Sequence, residues 1–198
     1  MLAQYQQAIT KYRQRVFSFA FYSLRTREDA EDITQDVFIR LWQHWSKVDH
    51  NRLGAWLMRV ARNAVVDHLR RHKNEKQRVD LPGGLENTVP VEDPGLELQQ
   101  FRQQLETAIS ELEDPYRSII IMRDIQGLSY AEIEQTMNLS QSQVKVYLHR
   151  GRRQLRENQA LRQLAREQFI TKAEKPSEMK QAVPENPGKK DQGINHAQ

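Results

Sequence analysis

The chain has 198 residues, 38% of them hydrophobic and 28% charged, with a mean hydropathy of −0.82, which suffices for compact helical cores but not for one large core with deep pockets. Cysteine is absent, which excludes disulfides, thiolate metal ligands and a cysteine nucleophile. The net charge of +4 and a pI near 9.4 point to a polyanionic partner, and the arrangement of charge says more than its sum. Residues 56–78 hold seven Lys or Arg against two acids, residues 141–156 hold five and no acid, and residues 79–97 between them hold five acids and no base. No run approaches the roughly 18 apolar residues of a membrane-spanning helix. The polar residues 1–14 read as no secretory signal. A soluble, cytoplasmic protein is expected.

Along the chain, residues 2–24 carry Tyr5, Ile9, Tyr12, Val16 and Ala20 at helical spacing. A second helix is expected to start at Thr26, its hydroxyl capping first-turn amides and Glu28 and Asp29 facing the positive end of the helix dipole. Ile33, Val37, Leu41 and Trp45 form its apolar stripe, and a third helix over residues 53–73 sets Leu57, Val60, Ala61, Ala64 and His68 on one side. Residues 74–95 then bring Pro82, Gly83, Gly84, Pro90, Pro94 and Gly95 without periodicity. Some 20 unstructured residues inside one compact domain would be unusual, so the stretch reads as a linker between two all-α domains.

The second domain is sharply punctuated. Leu105, Ala108, Ile109 and Leu112 mark a helix, Asp114 and Pro115 a cap with a first-turn proline, and Gly127 the end of the next helix. Ser129 with Glu132, and Ser140 with Gln143, are two capping boxes around a short turn. Helix, tight turn and longer basic helix form the helix-turn-helix pattern. Helix is expected to continue from Gln159 towards Phe169, and the polar, proline-containing residues after about 172 to be disordered.

On the last basic helix Val144, Leu148, Gly151 and Leu155 share the inward face, while Ser142, Gln143, Val146, His149, Arg150 and Arg153 face outward. Groove reading needs donors near the helix start and cations further on, with Gln suited to adenine, Arg to guanine and an exposed Val to a thymine methyl. Arg152 and Arg156 lie to the side, where phosphates would be met. The earlier basic helix mixes Trp56 with Arg59, Arg62, Asn63, Arg70 and Arg71, which suits single-stranded DNA. The preceding helix has an acidic edge of Glu28, Asp29, Glu31, Asp32 and Asp36 beside Phe38 and Trp42, which suits a protein partner. His68 and His72 have metal-ligand spacing, but the sequence indicates no third ligand and Arg70, Arg71 and Lys73 oppose a cation, so neither metal nor other cofactor is expected.

Three segments in order carry a resemblance. Residues 29–42 (DAEDITQDVFIRLW) resemble region 2.2 of the sigma-70 family of bacterial RNA polymerase sigma factors. Residues 54–71 (GAWLMRVARNAVVDHLRR) resemble its regions 2.3 and 2.4. Residues 109–155, with LSYAEI at 128–133 and HRGR at 149–152, resemble region 4. No counterpart of regions 1.1 and 3 is evident, which implies the extracytoplasmic-function (ECF) group.

The resemblance implies a non-enzymatic initiation factor with region 2 at residues 1–75, an acidic linker at 76–97, region 4 at 98–160 and a C-terminal extension at 161–198. Asp32, Gln35, Asp36 and Phe38 would meet core polymerase on the clamp of its largest subunit. Trp56, Arg59, Arg62, Asn63, Arg70 and Arg71 would serve the melted −10 element, with Asn63 where a flipped base is captured. Ser142, Gln143, Lys145, Val146, His149, Arg150 and Arg153 would face the −35 element. The acidic linker would thread the RNA-exit path, and an anti-sigma factor that hides both basic faces is an expected regulator. The start of the reading helix, residues 142–147 (SQVKVY), departs from the family's usual Gly-Thr-Val and basic-Ser-Arg pattern, so the −35 sequence is not implied. The alternative is an autonomous helix-turn-helix regulator that binds duplex operators without polymerase.

Overall fold

The computed structural model describes residues 1–76 and 96–166, and every regular element among them is helical. The first unit comprises α1 (Leu2–Leu24), α2 (Arg27–His44) and α3 (Leu53–Lys76), with short 3-10 turns at Trp45–Lys47 and His50–Arg52. The second comprises α4 (Leu96–Glu111), α5 (Tyr116–Ile120) running into a π turn (Ile121–Ile125), α6 (Tyr130–Met137), α7 (Gln141–Glu157) and α8 (Gln159–Ala165). The expected linker falls almost wholly outside the described residues, as does the tail beyond 166. No helix among the described residues is long and apolar enough to cross a membrane.

In the first unit α1 buries Val16, Phe19 and Ala20 against α2 and α3. It stops at Arg25, whose left-handed backbone (φ 65°) returns its N–H to the Phe21 carbonyl at 2.8 Å. The stripe of Ile33, Val37, Leu41 and Trp45 is buried as its spacing requires. Thr26 does occupy the N-cap of α2, yet its hydroxyl does not serve the first-turn amides. It donates instead to the Asp29 carboxylate at 2.5 Å, a charged acceptor one turn on that attracts the proton better than a neutral group would.

In the second unit the expected cap at Asp114 is displaced by one residue: Pro115 holds the N-cap position of α5, and the Asp114 carboxylate accepts from the Ser118 hydroxyl. Gly127 closes this element with φ 69°, a backbone for which glycine has no steric penalty. Both capping boxes form. Ser129 and Glu132 cap α6, and Ser140 and Gln143 cap α7, with Asn138 in the left-handed region (φ 54°) reversing the chain between them. Two donors at Ser129 and the guanidinium of Arg15 hold the Glu132 carboxyl below the usual glutamate range. That part of the cap is complete above the ordinary carboxylate range and is lost as the pH falls through the depressed value.

The distance between α7 and α5 is set by Gly151. A methyl at its position would lie 3.0 Å from Ile120 Cγ1 and 3.4 Å from Tyr116 Cβ, so only a missing side chain lets α7 lie this close. Gly151→Val is therefore expected to lower the unfolding free energy by about 1–3 kcal/mol through overpacking. Thermal denaturation of this variant and of Gly151→Val with Ile120→Ala checks it: the second change makes room and should recover part of the loss.

Candidate nucleic-acid interface

On α7, Val144, Leu148 and Gly151 are buried, and this stripe turns Ser142, Gln143, Lys145, Val146, His149, Arg150 and Arg153 to solvent. Val146 is 47% exposed, an apolar side chain presented outward among polar ones. His149 and Arg150 form no ion pair among the described residues, while Arg153 holds Glu157 one turn on at 2.9 Å in an exposed pair of small energetic worth. Two groups are less available than their spacing suggested. The Gln143 side-chain oxygen accepts the Ser140 N–H at 2.8 Å, so two-point pairing with adenine, which needs that oxygen, would break the cap. Arg152 grips Asp124 through Nε at 3.0 Å and Nη2 at 2.5 Å rather than standing clear for a phosphate.

The α3 residues divide. Asn63, Arg70 and Arg71 are exposed, with Arg70 paired to Asp67 at 3.3 Å and Arg71 Nε donating to the Asp67 carbonyl at 3.3 Å. Trp56 is half-buried beside the His44 ring and lines an open cleft with Arg52, Arg59 and Gln135. Arg59 and Arg62 point to the second unit. Arg59 Nε donates to the Thr136 carbonyl at 3.2 Å and its Nη2 to the Gln135 carbonyl, both at the C-terminal end of α6, where carbonyl dipoles favour a cation. Arg62 Nη2 pairs with the Asp114 carboxylate ahead of α5.

On α2, Asp32, Gln35 and Asp36 are exposed as expected of a docking edge. Phe38 is not part of it. It is 6% exposed, inside the core, with its carbonyl accepting the Tyr5 hydroxyl at 2.9 Å. The reason is that α2 packs against both α1 and α3, so its buried stripe is wide and takes in Thr34 and Phe38 beside Ile33 and Val37. The apolar surface next to the acidic edge is Ile39, 44% exposed, and Trp42, 46% exposed.

The two units share one continuous apolar cluster, and a seam of polar contacts also crosses between them. Besides the contacts of Arg59 and Arg62, Arg25 pairs with Glu106 with both side chains nearly buried, and Gln126 Nε2 donates to the Arg15 carbonyl at 2.8 Å. The seam is imperfectly satisfied: Arg25 Nε, Arg62 Nε and Gln126 Oε1 are buried without a hydrogen-bond partner. Sequence reading missed Arg25, Glu106, Asp114 and Gln126 as partners, and no local pattern marks them, since the residues they meet lie 52 to 111 positions away. A third candidate ligand also lies near His68 and His72: the carboxylate of Asp29 on α2, with an oxygen 3.5 Å from His68 Nε2.

Comparison with known proteins agrees with this geometry. Residues 8–75 match the family model of sigma-70 region 2, and residues 102–155 match that of sigma-70 region 4. Over 146 residues the chain is 33% identical to the ECF RNA polymerase sigma factor SigM of Bacillus subtilis, covering 73% of this chain and 88% of that one. Over 160 residues it is 30% identical to the ECF RNA polymerase sigma factor SigE of Mycolicibacterium smegmatis, covering 79% of this chain and 62% of SigE. The fold also matches the sigma factor RpoE, solved with the anti-sigma factor NepR from Bartonella quintana, at a TM-score of 0.64 and 24% identity over 78% of this chain and 95% of that one. CnrH, solved with the cytosolic domain of CnrY, matches at a TM-score of 0.59 and 21% identity over 79% of this chain and 88% of that one. At these identities the two structures share a fold.

Asp114→Lys sets a cation opposite Arg62 and is expected to loosen the seam, seen as a larger radius of gyration in small-angle X-ray scattering. Ser118→Ala removes Asp114's other partner but leaves its charge, and is expected to leave the radius unchanged.

Proposed function

Because the chain belongs to the ECF group of sigma-70-family RNA polymerase sigma factors, we propose how its residues divide the work of promoter recognition. The factor directs transcription initiation, as its relatives' names and the two matched regions establish, and such factors act as non-enzymatic subunits. The observation that carries the residue assignment is the outward face of α7, where Lys145, Val146, His149 and Arg150 stand opposite a buried stripe that anchors the helix. In this reading residues 98–160 read the −35 duplex with that face, and residues 1–75 serve the −10 element and the polymerase. Ser142 and Arg153 flank the reading face, and Gln143 contributes donors only while its oxygen stays in the cap.

Asn63 is the base-capturing residue, exposed on α3, with Arg70 and Arg71 tracking the displaced strand and Trp56 buttressing the helix. Asp32, Gln35 and Asp36 with Ile39 and Trp42 form the face for the polymerase clamp. Arg59 and Arg62 reach DNA only after releasing the carbonyls of α6 and the carboxylate of Asp114. The packed arrangement therefore opens before Arg59 and Arg62 engage the −10 strand. RpoE, which shares the fold, was solved with the anti-sigma factor NepR, and we extend this to an anti-sigma factor that holds the present chain closed.

Transcription with core polymerase over a promoter library tests the reading. Specific initiation is expected with core, and only weak binding to duplex DNA by the protein alone; tight sequence-specific duplex binding without core would favour an autonomous regulator. Arg150→Ala is expected to lower use of −35-dependent promoters about ten- to a hundredfold. Asn63→Ala should leave −35 binding intact and slow open-complex formation, as permanganate footprinting of the −10 region would register. Normal opening on every promoter by the Asn63 variant would remove that residue from its assigned role.

A further inference from the structure

We propose that Asp29, His68 and His72 form a binding site for a divalent transition metal of the Zn²⁺ class, linking the start of α2 to the outer half of α3. His68 and His72 stand one helical turn apart with ring centroids 4.3 Å from each other. Asp29 Oδ2 lies 3.5 Å from His68 Nε2, and one ligand atom from each of the three residues falls within 4.8 Å of the others. Zinc–ligand bonds of roughly 2.0–2.2 Å at tetrahedral angles set donors about 3.3 Å apart, so the site needs a contraction of about an ångström, within the reach of side-chain rotation.

The donor set selects the ion. Two imidazoles and one carboxylate suit Zn²⁺ and Co²⁺, whereas Mg²⁺ and Ca²⁺ demand oxygen ligands. Asp29 is already held in place, since the Thr26 hydroxyl donates at 2.5 Å to Oδ2, the same oxygen that faces His68, and hydrogen bonds to a ligating carboxylate steady it. His72 is exposed while Asp29 and His68 are half-buried, so the fourth position opens to water.

Arg70 and Arg71, on the same helix, are each engaged by Asp67. Arg70 pairs with the Asp67 carboxylate and Arg71 Nε bonds the Asp67 carbonyl, one residue round from His68. The facing turn of α2 supplies Glu28 and Asp32, which add negative potential. The site stands apart from the promoter assignments, and its failure would leave them untouched.

Isothermal titration of the untagged full chain with ZnCl₂, and visible absorption with CoCl₂, test the proposal. One equivalent of Zn²⁺ is expected to bind and raise the melting temperature, with Co²⁺ giving the absorption of a four-coordinate ion and excess Mg²⁺ not competing. His72→Ala, on an exposed position, and Asp29→Asn should each weaken binding at least about tenfold, whereas His44→Gln on the far helix end should not. Absence of Zn²⁺ binding, or binding that His72→Ala and Asp29→Asn both leave unchanged, overturns the site. If Asp29→Asn unfolds the first unit, the His72→Ala titration decides alone.

Discussion

A cationic side chain is stabilised by oxygen acceptors, and the arrangement of this molecule turns on where the exposed Arg59 and the half-buried Arg62 find theirs. Both sit on the basic helix α3, and both spend their hydrogen bonds on the second unit: two carbonyls at the end of α6 and the carboxylate of Asp114. Those acceptors are oxygens, one of them anionic, as are the phosphate oxygens proposed as their partners on DNA. The two sets compete for the same donors. Under the proposed assignment, the packing of the units and the engagement of the −10 strand are therefore alternatives.

The composition of the seam makes such an exchange feasible. Buried ion pairs recover little more than their desolvation cost, and here Arg25 Nε, Arg62 Nε and Gln126 Oε1 have no hydrogen-bond partner at all. Pairs such as Arg25 with Glu106 therefore specify how the units meet more than they strengthen the contact. Apolar packing within each unit, with Phe19, Leu41 and Leu57 in the first and Ile119, Ile121 and Ile133 in the second, runs on into one cluster that spans both.

Rigidity within the second unit follows from a different cause. Gly151 lets α7 lie against Ile120 and Tyr116, and the Ser140 cap holds the first turn of α7. The outward face is thus carried on a helix whose start and middle are both fixed. The Gln143 oxygen shows the cost of that rigidity, for a group placed where a base could be read is committed to the cap. In the first unit the corresponding tension is at Phe38, which helical position alone could assign to either face until packing by α1 and α3 on two sides drew it inward.

Much of the molecule was legible in the residues alone because its determinants are local. Apolar spacing within one or two turns located α1, α2, α3 and α7, and both capping boxes form as their Ser and Glu or Gln three residues apart require. The outward Ser142, Gln143, Val146, His149, Arg150 and Arg153 on α7 followed from the same periodicity, as did the exposed Asp32 and Asp36 on α2, whereas Lys145, Gln35 and Asn63 were singled out by the family resemblance. Where a local rule met a competing partner it slipped, as when the Thr26 hydroxyl turned to Asp29 and the cap expected at Asp114 moved to Pro115. Tertiary structure alone decided that Arg59 and Arg62 are occupied, that Arg25 meets Glu106, and that Asp29 joins His68 and His72. Those pairings join residues on different helices, 81 positions apart for Arg25 and Glu106, and no periodicity within a helix encodes which distant acceptor a long, flexible cationic side chain will reach.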